Sequence, residues 1–273
     1  MKHFLLTRFN LKNQAWKNTN NGSHKGLSEH WLNQRLDLFK TYCLPSVINQ
    51  TNKNFVWILI FDIDTPSKYQ TEIKTLTRKH TNIIVIYADG FNELLPALKS
   101  EIKNHIEKDD NHIMTTRLDN DDIIHKDFIK TIQNLYNPIE NLVIDLRKGY
   151  QLILEDKSEI REFYDCYNPF ISVVEAASNY DTVLSKEHRD WKQSPLKTNK
   201  SKSLWIQMIH DQNQANTKTI YLKRLRTFNS KNFGINVNIA EYSKLENIIF
   251  NLKLLPSQIF YSLKANVKSI LKA

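Results

Sequence analysis

The chain has 273 residues, 41% of them hydrophobic and 11% aromatic, enough apolar material for a packed core and too much for general disorder. It carries only 5 glycines and shows neither GxGxxG nor a Walker pattern, so a glycine-rich phosphate loop is excluded. The net charge of +9 favours anionic partners such as phosphorylated substrates. No motif places aromatics for base stacking, however, and nucleic acid is not an expected partner. Cys43 and Cys166 are too few for a disulfide framework or a zinc cage and fit a reducing compartment. The apolar run near the amino terminus is too short for a signal peptide, and no stretch reaches membrane-span length, so a cytoplasmic location is expected.

In chain order, His3 to Phe9 reads as a strand and residues 10–28 as a long polar loop. Glu29 to Leu44 reads as a helix with Leu32, Leu36, Phe39 and Cys43 on one face, ended by Pro45. The continuous apolar run Phe55 to Phe61 is that of a buried parallel strand. A helix over Ser67 to Lys79, a strand over Ile83 to Tyr87 and a helix over Asn92 to Glu107 follow. The strand beginning at Ile113 then completes the alternation of a doubly wound α/β sheet. Asp62, Asp89 and Asp119 each close one of these strands on the same edge, where open α/β sheets bind ligands.

The densest chemistry lies in Arg117-Leu118-Asp119-Asn120-Asp121-Asp122. Acids one residue apart point the same way from extended backbone and can share a hard divalent cation. Two plainer readings compete: Asp121 or Asp122 caps the next helix, or the block is a solvated turn. An EF-hand loop is excluded by Ile124 and Lys130 at its glycine and glutamate positions. Beyond Tyr136, Asn141 to Leu146 and Tyr150 to Leu154 read as strands paired around Lys148-Gly149, and Phe170 to Val174 as a strand ending at Glu175. Ser185 to Ser203 reads as a basic mobile loop, Leu204 to His210 as a short helix, and Thr219 to Leu222 as a strand. From Glu241 the chain reads as helical with a break at Pro256.

The order of these parts resembles the GT-A-fold glycosyltransferases and, within them, a bacterial rhamnosyltransferase family. The residues that carry the resemblance are Leu5 to Asn10, Trp31 to Arg35, Cys43 to Val47 with Gln50-Thr51, Phe55-Val56-Trp57, Arg117 to Asp122, and Trp205 to His210 with Asn213. It implies a Rossmann-like mixed sheet flanked by helices, with a nucleotide-binding half over residues 1–122 and an acceptor half over 123–238. The implied activity is metal-dependent transfer of a sugar, with inversion, from a nucleotide-sugar donor to a glycan or lipid-linked acceptor in surface polysaccharide synthesis. Thr7, Arg8, Asn10, Arg35, Asp62, Arg117 and Asp119 would then face the nucleotide-sugar. Asp119, Asp121 and His210 would hold manganese or magnesium, and Glu175, Asp190 or Glu187 would supply the base. Arg35 as a surface charge and His210 as a structural histidine are the bland alternatives.

Residues 239–273 form a tail in which Ile259, Phe260, Leu263, Val267, Ile270 and Leu271 share a helical stripe beside Lys264, Lys268 and Lys272. Such a helix suits a peripheral position on the inner face of the plasma membrane, or docking on the domain or on a second subunit of a homodimer. Two rival readings remain at this stage. One is a non-catalytic nucleotide- or sugar-binding scaffold. The other is a phosphatase of the haloacid dehalogenase type with Asp62 as nucleophile in Phe61-Asp62-Ile63-Asp64, although Pro66 departs from that pattern.

Overall fold

The computed structural model describes residues 1–12, 28–155, 157–211, 213, 217–219 and 221–270, the last ten as backbone only. Most of the polar loop expected over residues 10–28 therefore lies outside the described residues, as do the side chains of the tail stripe beyond Phe260.

The first half runs β1 (Lys2–Arg8), α1 (Glu29–Leu38), a π-helical turn (Phe39–Cys43), α2 (Leu44–Ile48), β2 (Val56–Asp62), α3 (Ser67–Thr77), β3 (Ile83–Ala88), α4 (Leu94–Lys103) and β4 (His112–Arg117). The second half runs β5 (Ile123–Ile124), α5 (Phe128–Asn134), β6 (Leu142–Leu146), β7 (Lys148–Ile153), β8 (Glu159–Tyr164), β9 (Ser172–Ala176), β10 (Leu196–Asn199), β11 (Trp205–Ile209) and α6 (Lys244–Ile270). Seven strands form a mixed sheet in the order β10-β6-β9-β4-β1-β2-β3, and four form a smaller sheet, β5-β11-β7-β8. The expected mixed α/β sheet with flanking helices and a helical tail is present.

β1, β2 and β4 bury both faces, which is why they read as nearly unbroken apolar runs. One face packs Leu5, Trp57, Leu59 and Phe61 under α1, α3 and α5 through Leu32, Leu36, Tyr69 and Ile132. The other packs Phe4, Leu6, Ile58 and Ile60 against Leu94, Leu98 and Ile102 of α4 and against Val183 and Trp191. β4, β1, β2 and β3 run parallel, so their carboxyl ends, and with them Asp62, Asp89 and Asp119, share one edge as expected.

Several expectations are corrected. Pro45 does not end the first helix: the Leu44 N–H reaches back to the Phe39 carbonyl, a widened π turn, and Pro45 sits in the first turn of α2, where its missing N–H costs nothing. β6 and β7 do not pair with each other. They belong to different sheets, and Gly149 is small because a Cβ there would lie 2.2 Å from the Trp205 ring. Residues 185–203 are not a mobile loop but hold a 3-10 segment (His188–Gln193) and the edge strand β10. The stretch Leu204 to His210 holds the buried strand β11 (Trp205–Ile209) rather than a helix, and no strand forms at 219–222 among the described residues. α6 runs through Pro256 without breaking. Neither Asp121 nor Asp122 caps a helix, since α5 begins six residues later with Asp127 at its N-cap. No helix among the described residues is long and apolar enough to cross a membrane.

Candidate active site

At the carboxyl edge of β4 the chain leaves the sheet as Leu118 and turns through the acid block. Asn120 fixes that turn: its amide nitrogen donates to the carbonyls of Phe9 (3.1 Å) and Arg8 (3.4 Å), and its oxygen accepts from Arg35 Nη1 (3.2 Å). The Cys43 thiol, presented by the π turn, donates to the Asp119 carbonyl at 3.7 Å.

Each acid has its own environment. Asp119 is gripped by Arg117 through both oxygens, at 3.3 Å from Nε and 3.2 Å from Nη2, a bidentate pair at the rim. Asp121 is buried, and one of its oxygens meets Arg35 Nη1, His210 Nε2 (3.0 Å) and Asn213 Nδ2 (3.4 Å). Burial alone would raise its pKa, but His210 and Arg35 hold the carboxyl below its ordinary value. Asp122 is sealed in: Oδ1 accepts from the Met208 N–H at 3.0 Å, while Oδ2 is buried without a hydrogen-bond partner. Burial, then the charges of Asp121 and Asp119, push its pKa well above the usual carboxylate range.

The cationic side of the edge is formed by Arg117, Arg8 and Arg35. The Arg8 guanidinium lies over the Phe91 ring at 5.3 Å and makes neither a hydrogen bond nor an ion pair among the described residues. Burial, then the neighbouring Arg117 charge, lower its pKa. Arg117 also reaches Glu187 at 3.3 Å, a carboxylate that is 68% exposed.

Of the residues expected to face a nucleotide-sugar, Arg8, Arg35, Arg117 and Asp119 gather around the acid block, and the other three are buried in internal contacts. Thr7 is completely buried on the opposite face of β1, where its hydroxyl accepts from the Trp57 indole at 2.9 Å. Asn10 is buried and ties the strand ends together, accepting from the Asp62 N–H (3.1 Å) and donating to Thr65 (3.0 Å). Asp62 is inaccessible: its oxygens accept from the backbone N–H groups of Lys12 (2.9 Å) and Asp64 (3.0 Å). That burial also removes the nucleophile required by the phosphatase reading. Lys12 then bridges Asp62, Asp64 and Asp89, so this half of the edge is self-neutralised.

Of the candidate bases, Glu187 stands at the site, and Asp190 is exposed on the following 3-10 turn. Glu175 does not. β9 runs antiparallel to β4 with Glu175 opposite Ile113, which places it at the other edge of the sheet, roughly 20 Å from Asp119 by strand rise. There its carboxylate accepts the N–H groups of Asp181 (2.8 Å) and Thr182 (3.1 Å), a loop anchor.

For a divalent cation, Asp121 and His210 supply an oxygen and an imidazole nitrogen that already meet, a donor pair suited to manganese or magnesium. No three His, Cys, Asp or Glu side chains among the described residues converge on a common point, and Asp119 is held aside by Arg117. The donor types fit a hard divalent cation, but the two acids are each paired with an arginine, Asp121 with Arg35 and Asp119 with Arg117. Asn120, Lys12 and Phe91 carried no signal of their own in the sequence.

The mixed sheet thus carries Asp119 and Asp121 among three guanidiniums at the carboxyl edge of its parallel strands. The chain belongs to the family described as "Putative rhamnosyl transferase", whose profile matches residues 2–221. No curated protein sequence matches it. Among solved structures it is similar to S. aureus TarS 1–349, at 11% identity and a TM-score of 0.43, over 76% of this chain and 60% of that one. It is likewise similar to that fragment in complex with UDP-GlcNAc (11% identity, TM-score 0.44, 81% and 62%) and with UDP (13%, 0.44, 77% and 61%). The chain thus spans about three fifths of the TarS fragment it matches.

Proposed function

We propose that the protein moves a sugar from a nucleotide-sugar donor to a hydroxyl of a glycan or lipid-linked glycan, with inversion, in bacterial surface polysaccharide synthesis. Family membership supports the reaction class, and rhamnose is the sugar it suggests. The observation that carries the reading is geometric: Arg8 and Arg117 stand on adjacent parallel strands, on one face of the sheet, at the edge that carries the acid block. Two partly buried guanidiniums beside each other, one of them with no ion pair among the described residues, favour an anion that completes them. A diphosphate matches their charge and their fork geometry.

In this reading Arg8, Arg117 and Arg35 orient the donor's diphosphate and stabilise the charge that develops as its bond to the anomeric carbon breaks. The acceptor oxygen bonds to that carbon from the opposite face, and its proton passes to Glu187, with Asp190 the next carboxylate on the same turn. Asp121 and His210, joined by Asp119, would hold a divalent cation, which when bound adds Lewis-acid stabilisation of the leaving diphosphate.

Calorimetric titration with UDP, GDP, dTDP and CDP, each with and without manganese, tests the proposal, with Asp119→Ala/Asp121→Ala as control. Saturable, manganese-dependent binding of one nucleotide that the double substitution abolishes is expected. If no nucleotide binds with metal present, the acid block is a structural turn and the proposal fails.

A further inference from the structure

α6 is docked with its polar face inward. It opens with a capping box in which Glu246 N–H donates to Ser243 Oγ (3.1 Å) and Ser243 N–H donates to the Glu246 carboxylate (2.8 Å). On the inner face Asn247 and Asn251 clamp Arg224. Their oxygens accept its Nε (3.0 Å) and backbone N–H (2.9 Å), and both amides donate to its carbonyl. Phe250 lies against the guanidiniums of Arg224 (4.0 Å) and Arg161 (5.3 Å), and Gln258 donates to the Tyr221 carbonyl at 3.0 Å. Amides and cation–π contacts, rather than an apolar seam, hold this helix to the domain.

The apolar residues face away. Leu245, Ile248, Ile249, Leu252, Leu255 and Ile259 recur at three- and four-residue spacing, and each is between 44% and 67% exposed. We propose that this face lies on an anionic lipid bilayer, in the plane of the interface, independently of which donor the active site takes. The charge around the stripe selects that occupant. Lys244 and Lys253 are exposed beside it, and the helix's one acid, Glu246, is engaged in its own cap. A second copy would bring one basic rim against another, whereas anionic headgroups neutralise it.

Flotation of the full chain with vesicles of phosphatidylcholine alone, and of phosphatidylcholine mixed with phosphatidylglycerol, tests this. Binding to the mixed vesicles should exceed binding to phosphatidylcholine by at least about tenfold and fall with salt. It should be lost in Leu252→Asp/Ile259→Asp, with circular dichroism and nucleotide titration unchanged because both positions are exposed. Three results would overturn the proposal. One is failure to bind the mixed vesicles, and another is binding that survives the double substitution. The third is a concentration-dependent dimer in sedimentation velocity that the double substitution dissolves.

Discussion

Replacing Arg8 by methionine keeps an aliphatic stem over Phe91 and removes one of two adjacent guanidiniums. The parallel register sets Leu6 opposite Arg117, so Arg8 lies one strand over and two residues on, on the same face of the sheet. Strand spacing and rise put the two Cα atoms ~8 Å apart. For guanidiniums held a comparable distance apart at an effective dielectric of about 20, the repulsion is on the order of 2 kcal/mol. Asp119 and Glu187 offset part of this, and loss of the contact with the Phe91 ring costs ~0.5–1 kcal/mol. The expected stability change lies between zero and about 1 kcal/mol in the stabilising direction, a rise in Tm of no more than ~4 °C for a chain of this size. Nucleotide binding should move the other way. A charge-assisted hydrogen bond contributes ~1.5–3 kcal/mol, so Kd should weaken by roughly 10- to 150-fold. Thermal unfolding and calorimetric titration on the same preparation read both quantities. A Tm lowered by more than ~4 °C with an unchanged Kd would refute the reasoning: Arg8 would be a structural brace and the diphosphate would bind elsewhere.

Three other expectations follow from individual side chains. His3 is buried with Nε2 2.7 Å from the Thr116 hydroxyl, and burial pushes its pKa down to about 3. The unfolded imidazole takes up a proton first, so stability should fall as pH drops from 6.5 towards 3, by roughly 2 kcal/mol at pH 5. Urea unfolding at pH 7 and pH 5 should show a smaller loss in His3→Gln, and equal losses would contradict the assignment. His125, pushed to about 4 mainly by burial, leaves a residual slope in that variant. Glu175→Gln should leave turnover within about twofold, whereas Glu187→Gln should lower kcat by ~100-fold or more at unchanged nucleotide affinity. The opposite pattern would return the role of base to Glu175. Burial raises the Glu175 pKa, so its contribution to stability is fullest below the ordinary carboxylate range and declines as pH rises, a slope the glutamine variant should lack. Gly149→Ala should cost about 1–3 kcal/mol, because the Trp205 ring it strikes is stacked on Phe170 at 4.8 Å and donates to the Leu146 carbonyl. An unaltered Tm would show that the ring can move aside.

The amino-terminal half was legible in sequence because its strands are buried on both faces and bounded by helices of clear period. The later strands were not. All five residues of β11 are buried, and an apolar run so short has the same appearance in a strand and in a helix. β10 alternates between exposed and half-buried because it is an edge strand, so its composition is that of a loop. Gly149 reads as a turn residue, yet its smallness serves a tryptophan that arrives from far along the chain. Glu175 shows the same limit for function. A carboxylate at a strand end is visible in sequence, but the direction in which that strand joins the sheet is a tertiary fact, and β9 runs the wrong way. Asp119 and Asp121 were visible as a pair. That each would be met by its own arginine was not, because Arg35 and Asp121 come together only through packing.

Asn120 has a consequence for how the molecule opens. One amide is engaged in three directions: to Arg35 on α1 and to the carbonyls of Arg8 and Phe9 at the end of β1, while its own backbone carries the acid block. α1 and the end of β1 are thus both fastened to the acid block through this one side chain. In hydrogen exchange the amides around Phe9, Arg35 and Asn120, distant in sequence, should therefore open as one cooperative unit with a shared free energy. A ligand drawn to Asp121 would slow exchange across all three together.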